Sequence, residues 1–420
     1  MSLFPTMVRI RLDFEAPVIE NVAGELLNQL SGAELRVQPG ARIGIAVGSR
    51  GIANISLMVK TLVDFLRQKG AEPLVIPAMG SHGGATAEGQ KEVLASYGIT
   101  EAYIQAPIAS SMETVCLGHV RHDIPVYFDR IAASLDGIIL LNRVKPHTDF
   151  HATYESGLVK QMVIGLGNHQ GAQLVHSYGL MGLEELIPEM GALILNKAPI
   201  LGGVAVLENA KDQTAVIKFL TSEQMLPEEP GLLQMARRLM PRLPVSDMDL
   251  LVVQEMGKNI SGVGMDPNIT GRMGIRLNRQ PEHPTIRRIV CLDLTPESHG
   301  NALGVGLADV IPARLADKID YQVTYANVIT STFLERGFVP IVQPSDQAAM
   351  EVALRCAGRK VSAENARIVQ IKNTLELSEM FISKPLIDDI DPNCAWEQLE
   401  EFNYSFSPEG ELLNRIGTGA

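Results

Sequence analysis

The fold of this chain is decided by residues 41–84, ARIGIAVGSRGIANISLMVKTLVDFLRQKGAEPLVIPAMGSHGG. Two short apolar runs, each ending in a glycine-rich turn, flank a segment whose apolar residues recur at helical spacing, among them Leu62, Val63 and Leu66. A helix between two buried strands predicts a parallel sheet, because the crossover returns the chain in the same direction. Thr86 is placed to cap the helix that follows the second strand. An α/β fold is therefore predicted.

A third buried strand, DGIILL at residues 136–141, leads into Pro146-His147. Ligands of parallel sheets gather at the carboxyl ends of the strands, so the ends at 48–51, 80–84 and 146–147 are expected to form one site. Four of the nine histidines follow within residues 146–178, and imidazoles at this density bind a metal or move protons. These four are His147, His151, His169 and His176. An ordinary hydrogen-bonding role in a loop is the alternative for any one of them.

The turn Gly48-Ser49-Arg50-Gly51 is suited to an anion, because backbone N–H groups before a helix and an arginine favour negative charge. The alternative is an ordinary tight turn between a strand and a helix. His82 lies among small residues, and the glycines that follow it allow a ligand to approach the backbone closely.

The length of 420 residues favours two domains, and the proline-rich stretch 240–244 marks a boundary between them. We predict α/β domains at 1–242 and 243–420 with mainly parallel sheets, an active site in the cleft between them, and last residues that pack back on the first domain. In the second half, YANVITST at 325–332 is interpreted as a strand and residues 301–319 as a helix.

Composition excludes several classes of partner. The net charge of −12 and the lack of basic blocks argue against nucleic acid or an anionic membrane as a ligand. The sequence shows neither a membrane-spanning apolar stretch nor a signal peptide. The four cysteines lack CxxC spacing, which is typical of reduced thiols, and a cytoplasmic location is expected.

Taken together, the GSH motif that ends at His82, Pro146-His147, Lys160 and His176 resemble the nickel-dependent lactate racemase (LarA-like) family. His176 lies 16 residues beyond Lys160, as in the family pattern. The resemblance implies a nickel-pincer nucleotide as cofactor, Ni(II) pyridinium-3-thioamide-5-thiocarboxylic acid mononucleotide. It implies that Lys160 joins this cofactor covalently, that His176 binds the nickel, and that His82 and His147 are the catalytic histidines.

The same resemblance places Arg50 beside substrate and cofactor, with Ser49 and Gly51 next to it in the cofactor-binding turn. The implied activity is an isomerase, a racemase or epimerase that inverts C2 of a small 2-hydroxy acid by hydride abstraction and return. The proteins that synthesise the cofactor are then transient partners. The family's glutamine and lysine near the substrate have no equivalents here, so a substrate other than lactate is expected. Arg272 lies in that region and suggests a second polar or anionic group on the substrate.

The spacing between His147 and Lys160 is 13 residues, whereas the family usually has ten. His151 is therefore an alternative to His147 as the second catalytic base. Two other classes of function stay open. A metal-dependent hydrolase or lyase predicts close spacing such as HExxH, which the sequence lacks. A non-catalytic cofactor-binding homologue predicts the loss of a proton-transfer histidine, although both candidates are present.

Overall fold

The described residues form two large sheets with helices packed on them and a third sheet of only two strands. The structure, a computed structural model, describes residues 4–14, 16–33, 35–49, 51–276 and 280–417. The strands in these residues are β1 (Met7–Asp13), β2 (Arg42–Val47), β3 (Glu72–Pro77), β4 (Thr114–Val120), β5 (Ile124–Asp129), β6 (Gly137–Arg143), β7 (Ile200–Glu208), β8 (Thr214–Thr221), β9 (Asp247–Val253), β10 (Thr285–Cys291), β11 (Val310–Pro312), β12 (Ile341–Gln343), β13 (Ile368–Ile371), β14 (Glu379–Ser383) and β15 (Ala395–Phe402).

The α-helices of the same residues are α1 (Val22–Gly32), α2 (Ile55–Gln68), α3 (Ala87–Ser96), α4 (Glu101–Ile104), α5 (Arg130–Ala133), α6 (Leu158–Lys160), α7 (Asn168–Ser177), α8 (Gly179–Met181), α9 (Ile187–Lys197), α10 (Ser222–Leu239), α11 (Pro267–Thr270), α12 (Ala313–Ala316), α13 (Tyr321–Ser331) and α14 (Asp346–Arg355). Wide π-helical turns follow α6 and α8, at Gln161–Gly165 and Gly182–Leu186. Turns of this kind are frequent at functional sites.

One compact unit, here called the N-terminal unit, spans Glu15–Met240. Its described residues contain a sheet with the strand order β3-β2-β6-β7-β8, in which the first four strands are parallel and β8 is antiparallel. The predicted parallel α/β sheet is confirmed. Because β3, β2 and β6 are neighbours, their carboxyl ends lie side by side, as the site prediction requires.

Both faces of this sheet are buried, as in sheets covered by helices on each side. Alternate residues of β6 enter opposite cores: Ile139 packs with the apolar stripe of α2, whereas Leu140 packs with α6 and α9. Leu158 and Val159 of α6 are fully buried in the second of these cores. The next residue, Lys160, is therefore held by well-packed neighbours at the edge of the core.

The other unit, here called the C-terminal unit, comprises Met1–Phe14 and Pro241–Ala420. The strand order among its described residues is β12-β11-β10-β9-β13-β14-β1-β15, with β12 to β13 parallel and the remaining pairs antiparallel. The unit boundary lies two residues before the expected one. The first strand pairs with β14 and β15 of this unit instead of joining the first domain. The end of the chain also packs here, since Leu412 and Ile416 lie in a core of this unit.

Two secondary-structure predictions in this unit are wrong. YANVITST lies in helix α13, whose Thr324 and Val328 are buried four residues apart, as on one face of a helix. The β-branched residues that suggested a strand are mostly on its exposed side. Residues 301–319 do not form one helix, because strand β11 ends at Pro312 and only α12 follows. Proline disfavours the interior of a helix because it lacks an N–H group.

Two further findings concern the described chain. No helix in its described ranges is long and apolar enough to cross a membrane. Cys116, Cys291, Cys356 and Cys394 are free thiols.

Candidate active site

The centre of the candidate site is a contact between His147 and Lys160. His147 follows the end of β6, Lys160 ends α6, and Lys160 Nζ lies 2.5 Å from His147 Nε2. The ring of Phe150, fully buried, lies 4.7 Å from the His147 ring and 5.7 Å from Lys160 Nζ. The backbone N–H of Asp149 donates to His147 Nδ1 at 3.1 Å. Both nitrogens of the His147 ring are thus engaged.

Glu155 fixes the loop that carries His147. Its side chain has no exposed surface, and its carboxylate accepts hydrogen bonds from the backbone N–H of His147 at 2.6 Å and of Ala152 at 3.1 Å. The same carboxylate accepts from Arg237 and lies 3.3 Å from His151 Nδ1. A buried carboxylate is stable only with such partners. Glu155 therefore positions both candidate second bases, His147 through its backbone and His151 through its ring.

A second buried carboxylate, Glu229 of α10, lies at the start of α6. It accepts hydrogen bonds from the backbone N–H of Leu158 at 2.8 Å and of Val159 at 3.1 Å. Gly157 allows this approach, since a Cβ there would collide with the carboxylate. Burial raises the pKa of Glu229 to about 7, although the two N–H donors oppose the shift. Glu229 thus anchors the short helix that presents Lys160.

His82 lies in the loop after β3, and its Nδ1 is 2.8 Å from the carbonyl oxygen of Met79. A carbonyl only accepts, so Nδ1 carries the proton and Nε2 is the basic nitrogen of the neutral ring. Gln90 of α3, fully buried, donates through Nε2 to the carbonyl oxygens of Gly80 at 3.0 Å and His82 at 3.4 Å. Gly83 has φ +64°, a backbone conformation that glycine adopts without strain. The N-cap of α3 is Thr86, as predicted.

His176 lies near the end of α7, with Val175 buried beside it. His176 is an exposed residue, yet desolvation by the surrounding protein lowers the pKa of its ring, and the positive charges of Lys160 and His82 lower it further. Asp149 acts in the opposite direction. These interactions bring His176, Lys160, His82 and Asp149 into one neighbourhood. A neutral imidazole is the form that binds a metal.

The remaining predicted residues are placed less directly. The carbonyl oxygen of Ser49 accepts a hydrogen bond from Tyr97 at 2.6 Å, and a Cβ on Gly51 would lie 3.6 Å from the Tyr97 ring. Arg50 lies outside the described residues. A carboxylate lies close to the start of α2, the helix that follows this turn. The N–H of Ala53, two residues before the helix, donates to the Glu208 carboxylate at 2.7 Å.

Arg272, predicted to contact substrate, is occupied within the C-terminal unit. Its guanidinium donates to the Asp309 carboxylate at 2.7 Å and to the carbonyl oxygen of Leu307 at 3.0 Å. These bonds hold the loop after α11 against the sheet. Arg272 therefore has a structural role in the C-terminal unit, and its contact with a substrate stays a prediction.

The described residues offer an acceptor to a bound group but no ready-made metal site. Gln161, next to Lys160, donates through Nε2 to the carbonyl oxygens of Ala46 and Leu141 at the ends of β2 and β6. Its buried Oε1 has no hydrogen-bond partner in the described structure, and a buried acceptor usually has one. Within the described ranges, no three His, Cys, Asp or Glu side chains are grouped so as to hold a metal ion. A hydroxyl or N–H group of a ligand at these strand ends would fit Gln161.

Several of these residues were not predicted from the sequence. Glu155 could have been singled out, because it is the one acidic residue between His151 and Lys160 in the histidine-rich loop. No sequence pattern indicated Glu229 or Gln90, because each acts from a different helix and neither belongs to a recognisable motif. Their roles depend on tertiary packing that spacing along the chain does not encode.

Comparison with known proteins identifies a domain family and a similar fold. The profile of the lactate racemase N-terminal domain family matches residues 19–185, which include His82, His147, Lys160 and His176. Among solved structures, the fold is similar to that of the lactate racemase apoprotein from Thermoanaerobacterium thermosaccharolyticum, with 12% sequence identity, a TM-score of 0.53, and coverage of 87% of this chain and 94% of that chain. No curated protein sequence matches this chain. Residues 19–185 of the chain therefore match a lactate racemase N-terminal domain, and the chain has a fold similar to that of a lactate racemase apoprotein.

Proposed function

We propose that this chain is an isomerase that inverts the C2 centre of a 2-hydroxy acid. The observation that carries the proposal is the grouping of Lys160 with His147, His82 and His176 at one edge of the sheet, inside a lactate racemase N-terminal domain. A lysine and several imidazoles at one strand edge supply a point of covalent attachment and groups that exchange protons near neutral pH.

A nickel-pincer nucleotide is the cofactor that this arrangement supports. Lys160 would hold it covalently, His176 would bind its nickel, and the unsatisfied Oε1 of Gln161 would accept a hydrogen bond from it. Soft sulfur donors together with an imidazole suit nickel. When bound, this group supplies a reversible acceptor for the hydride on C2. Cofactor-synthesis proteins are then required as transient partners.

Two histidines, His82 and His147, would exchange protons with the substrate. His82, with its proton on Nδ1, has Nε2 as the nitrogen that takes up the hydroxyl proton of the substrate. His147 is the second acid–base group, because it contacts Lys160 directly. His151 remains the alternative, because it shares the Glu155 carboxylate with His147. Each histidine would act as base for one enantiomer and as acid for the other.

The substrate class is a small 2-hydroxy acid other than lactate. Its carboxylate requires a cation, and Arg50 of the turn after β2 is the residue proposed for this role. The residue before it, Ser49, accepts a hydrogen bond from Tyr97 through its backbone carbonyl.

The experiment is an inversion assay on protein produced with nickel and the cofactor-synthesis proteins. Single enantiomers of a panel of 2-hydroxy acids are incubated in D₂O, and both chirality and deuterium at C2 are followed. We expect inversion of at least one acid with little deuterium at C2, because hydride return does not exchange that hydrogen with solvent. Inversion with extensive deuterium at C2 would refute the hydride route. Loaded protein that inverts no acid would support the non-catalytic alternative.

A further inference from the structure

The C-terminal unit carries an exposed apolar surface between residues 321 and 342. Nine of the sixteen large apolar side chains that are exposed in the described residues lie in this stretch. They are Tyr321, Val323, Tyr325, Ile329, Leu334, Phe338, Val339, Ile341 and Val342, here called the α13 surface. Single exposed apolar residues are common on proteins, but a concentration of them within one segment is typical of an interaction site.

Helix α13 and the turn after it are packed against each other. The rings of Tyr321 and Tyr325 on the helix lie 5.7 Å apart. A Cβ on Gly337 would lie 2.7 Å from the side chain of Val328, so the backbone of the turn lies directly against the helix. Leu334 begins this turn and Phe338 follows it. Their exposed side chains therefore extend the apolar surface of the helix.

The area of the α13 surface matches one side of a stable dimer. Its nine residues are 39–67% exposed. With about 150–250 Å² for an aromatic side chain and somewhat less for an aliphatic one, they present roughly 800 Å² of accessible area. The largest apolar patch of a typical monomer is about 300–600 Å², whereas a standard interface buries about 800 Å² of each partner.

Charge is almost absent from this stretch, and this indicates the kind of partner. Its only charged residues are Glu335 and Arg336. Arg336 is buried, and Glu335 is paired with Arg276 at 3.1 Å. The exposed acids Asp317 and Asp320 precede the helix. A membrane-binding helix is rich in Lys and Arg on its polar face, whereas an apolar centre without charge is typical of homodimer interfaces.

The exposed side of α13 has the shape that packing against its own copy requires. Tyr321, Tyr325 and Ile329 form a ridge at four-residue spacing. The next row on the helix surface is also exposed, and it consists of Gln322, Ala326 and Thr330. The Thr330 hydroxyl donates to the carbonyl oxygen of Ala326 at 2.8 Å, so its polar group already has a partner. Ridges at this spacing fit the grooves of a second helix at a crossing angle of about −50°.

The edge strand β12 contributes side chains to the surface but is a poor site for strand pairing. Ile341 and Val342 point to opposite faces of the strand, and both are exposed. The strand has only three residues, and Pro340 precedes it while Pro344 follows it. Short edge strands and edge prolines protect a sheet from the addition of another strand. Helix packing is therefore favoured over a shared sheet.

We propose that two copies of this chain form a two-fold dimer through the α13 surface, with the two α13 helices packed against each other at its centre. The partner is a second copy because the surface is complementary to itself. A two-fold axis brings the ridge of each helix to the groove of the other, and no charge is buried between them. The dimer needs neither nickel nor substrate, so it does not depend on the function proposed above.

The test is sedimentation of the cofactor-free chain between about 0.5 and 50 µM, because interfaces of this size have dissociation constants that are micromolar or lower. We expect the mass of two 45.6 kDa chains at the upper concentrations. Hydroxyl-radical footprinting then locates the contact. Oxidation of Tyr321 and Tyr325 should be slower in the dimer than in a monomeric variant, whereas the exposed Tyr103 should react equally in both.

Two substitutions assign the dimer to this surface. Ile329→Glu puts a charge on the most exposed residue of the surface, and each dimer contains that charge twice. The dissociation constant should rise by at least about 100-fold. Leu27→Glu, at an exposed position of α1 in the N-terminal unit, is the matched control and should remain a dimer. Far-UV circular dichroism verifies folding, and Tyr325→Gln, which removes part of the ridge without adding charge, gives the same test if Ile329→Glu does not fold.

A mass of one chain for the unaltered protein at the highest concentration would overturn the proposal. If that monomer bound phosphatidylcholine vesicles, the surface would be assigned to a lipid bilayer instead. A dimer that persists in folded Ile329→Glu, or equal oxidation of Tyr321 and Tyr325 in dimer and monomer, would also overturn the proposal, because the contact would then lie elsewhere on the chain.

Discussion

Glu229 gives the sharpest prediction of stability, because it is a buried acid at the start of the Lys160 helix. Burial raises its pKa from an ordinary 4.5 to about 7 in the folded protein. Below pH 4.5 it is protonated in both folded and unfolded chains, so it causes no loss of stability. As the pH rises from 4.5 to about 7, the unfolded chain ionises first and stability falls. Above pH 7 the loss is complete, at roughly 3 kcal/mol.

Glu229→Gln removes this dependence while preserving the shape of the side chain. The amide oxygen can still accept from the N–H groups of Leu158 and Val159, which both contact the same carboxylate oxygen in the unaltered protein. We therefore expect the variant to gain stability relative to the unaltered chain as the pH rises from 4.5 to 8, by up to roughly 3 kcal/mol. Glu223→Gln, at an exposed position of the same helix, is the matched control and should change little.

The measurement is urea unfolding by far-UV circular dichroism at several pH values. Hydrogen exchange of residues 157–165 adds a local readout. Trp396, the only tryptophan of the chain, lies in the C-terminal unit, so its fluorescence reports unfolding of that unit separately. The result that would refute this reasoning is a pair of parallel curves, in which the unfolding free energy changes with pH in the same way for Glu229→Gln and for the unaltered protein.

Three further predictions concern the site itself. His176→Ala should release nickel from loaded protein with an unchanged circular dichroism spectrum, because the side chain is solvent-exposed; equal metal content in variant and unaltered protein would remove it as the ligand. His82→Gln and His147→Gln should each slow inversion of both enantiomers by about 10²- to 10⁴-fold in chiral chromatography, the usual size of an acid–base contribution, and full activity in either variant would contradict its role. Gln90→Met should lower turnover by about tenfold or more through a loosened His82 loop, whereas an unchanged turnover would show that the two hydrogen bonds of Gln90 do not position that loop.

Much of the N-terminal unit was predictable because its signals are local. Apolar runs that end in glycine-rich turns predicted β2 and β3, and helical spacing predicted α2 between them. The order of these elements was enough to place the ends of neighbouring strands together. The convergence of His82 with Lys160 follows from that topology, although the two residues are far apart in the chain.

The parts that could not be predicted depend on tertiary partners. The pattern of β1 identifies a strand but does not specify that Met7 pairs with Ser383 and Phe402. In α13, β-branched residues outweighed the four-residue spacing of Thr324 and Val328, because strand propensity is a local preference that packing overrides. The carboxylate of Glu229 reaches α6 from a helix about 70 residues further along the chain. No spacing rule relates such residues.

The most direct test of the account is the mass of the chain produced with and without nickel and the cofactor-synthesis proteins. We predict an added mass only in the presence of both, located by peptide mapping on Lys160 and absent from Lys160→Ala. No added mass on a folded chain would contradict the account, as would an added mass that persists in Lys160→Ala.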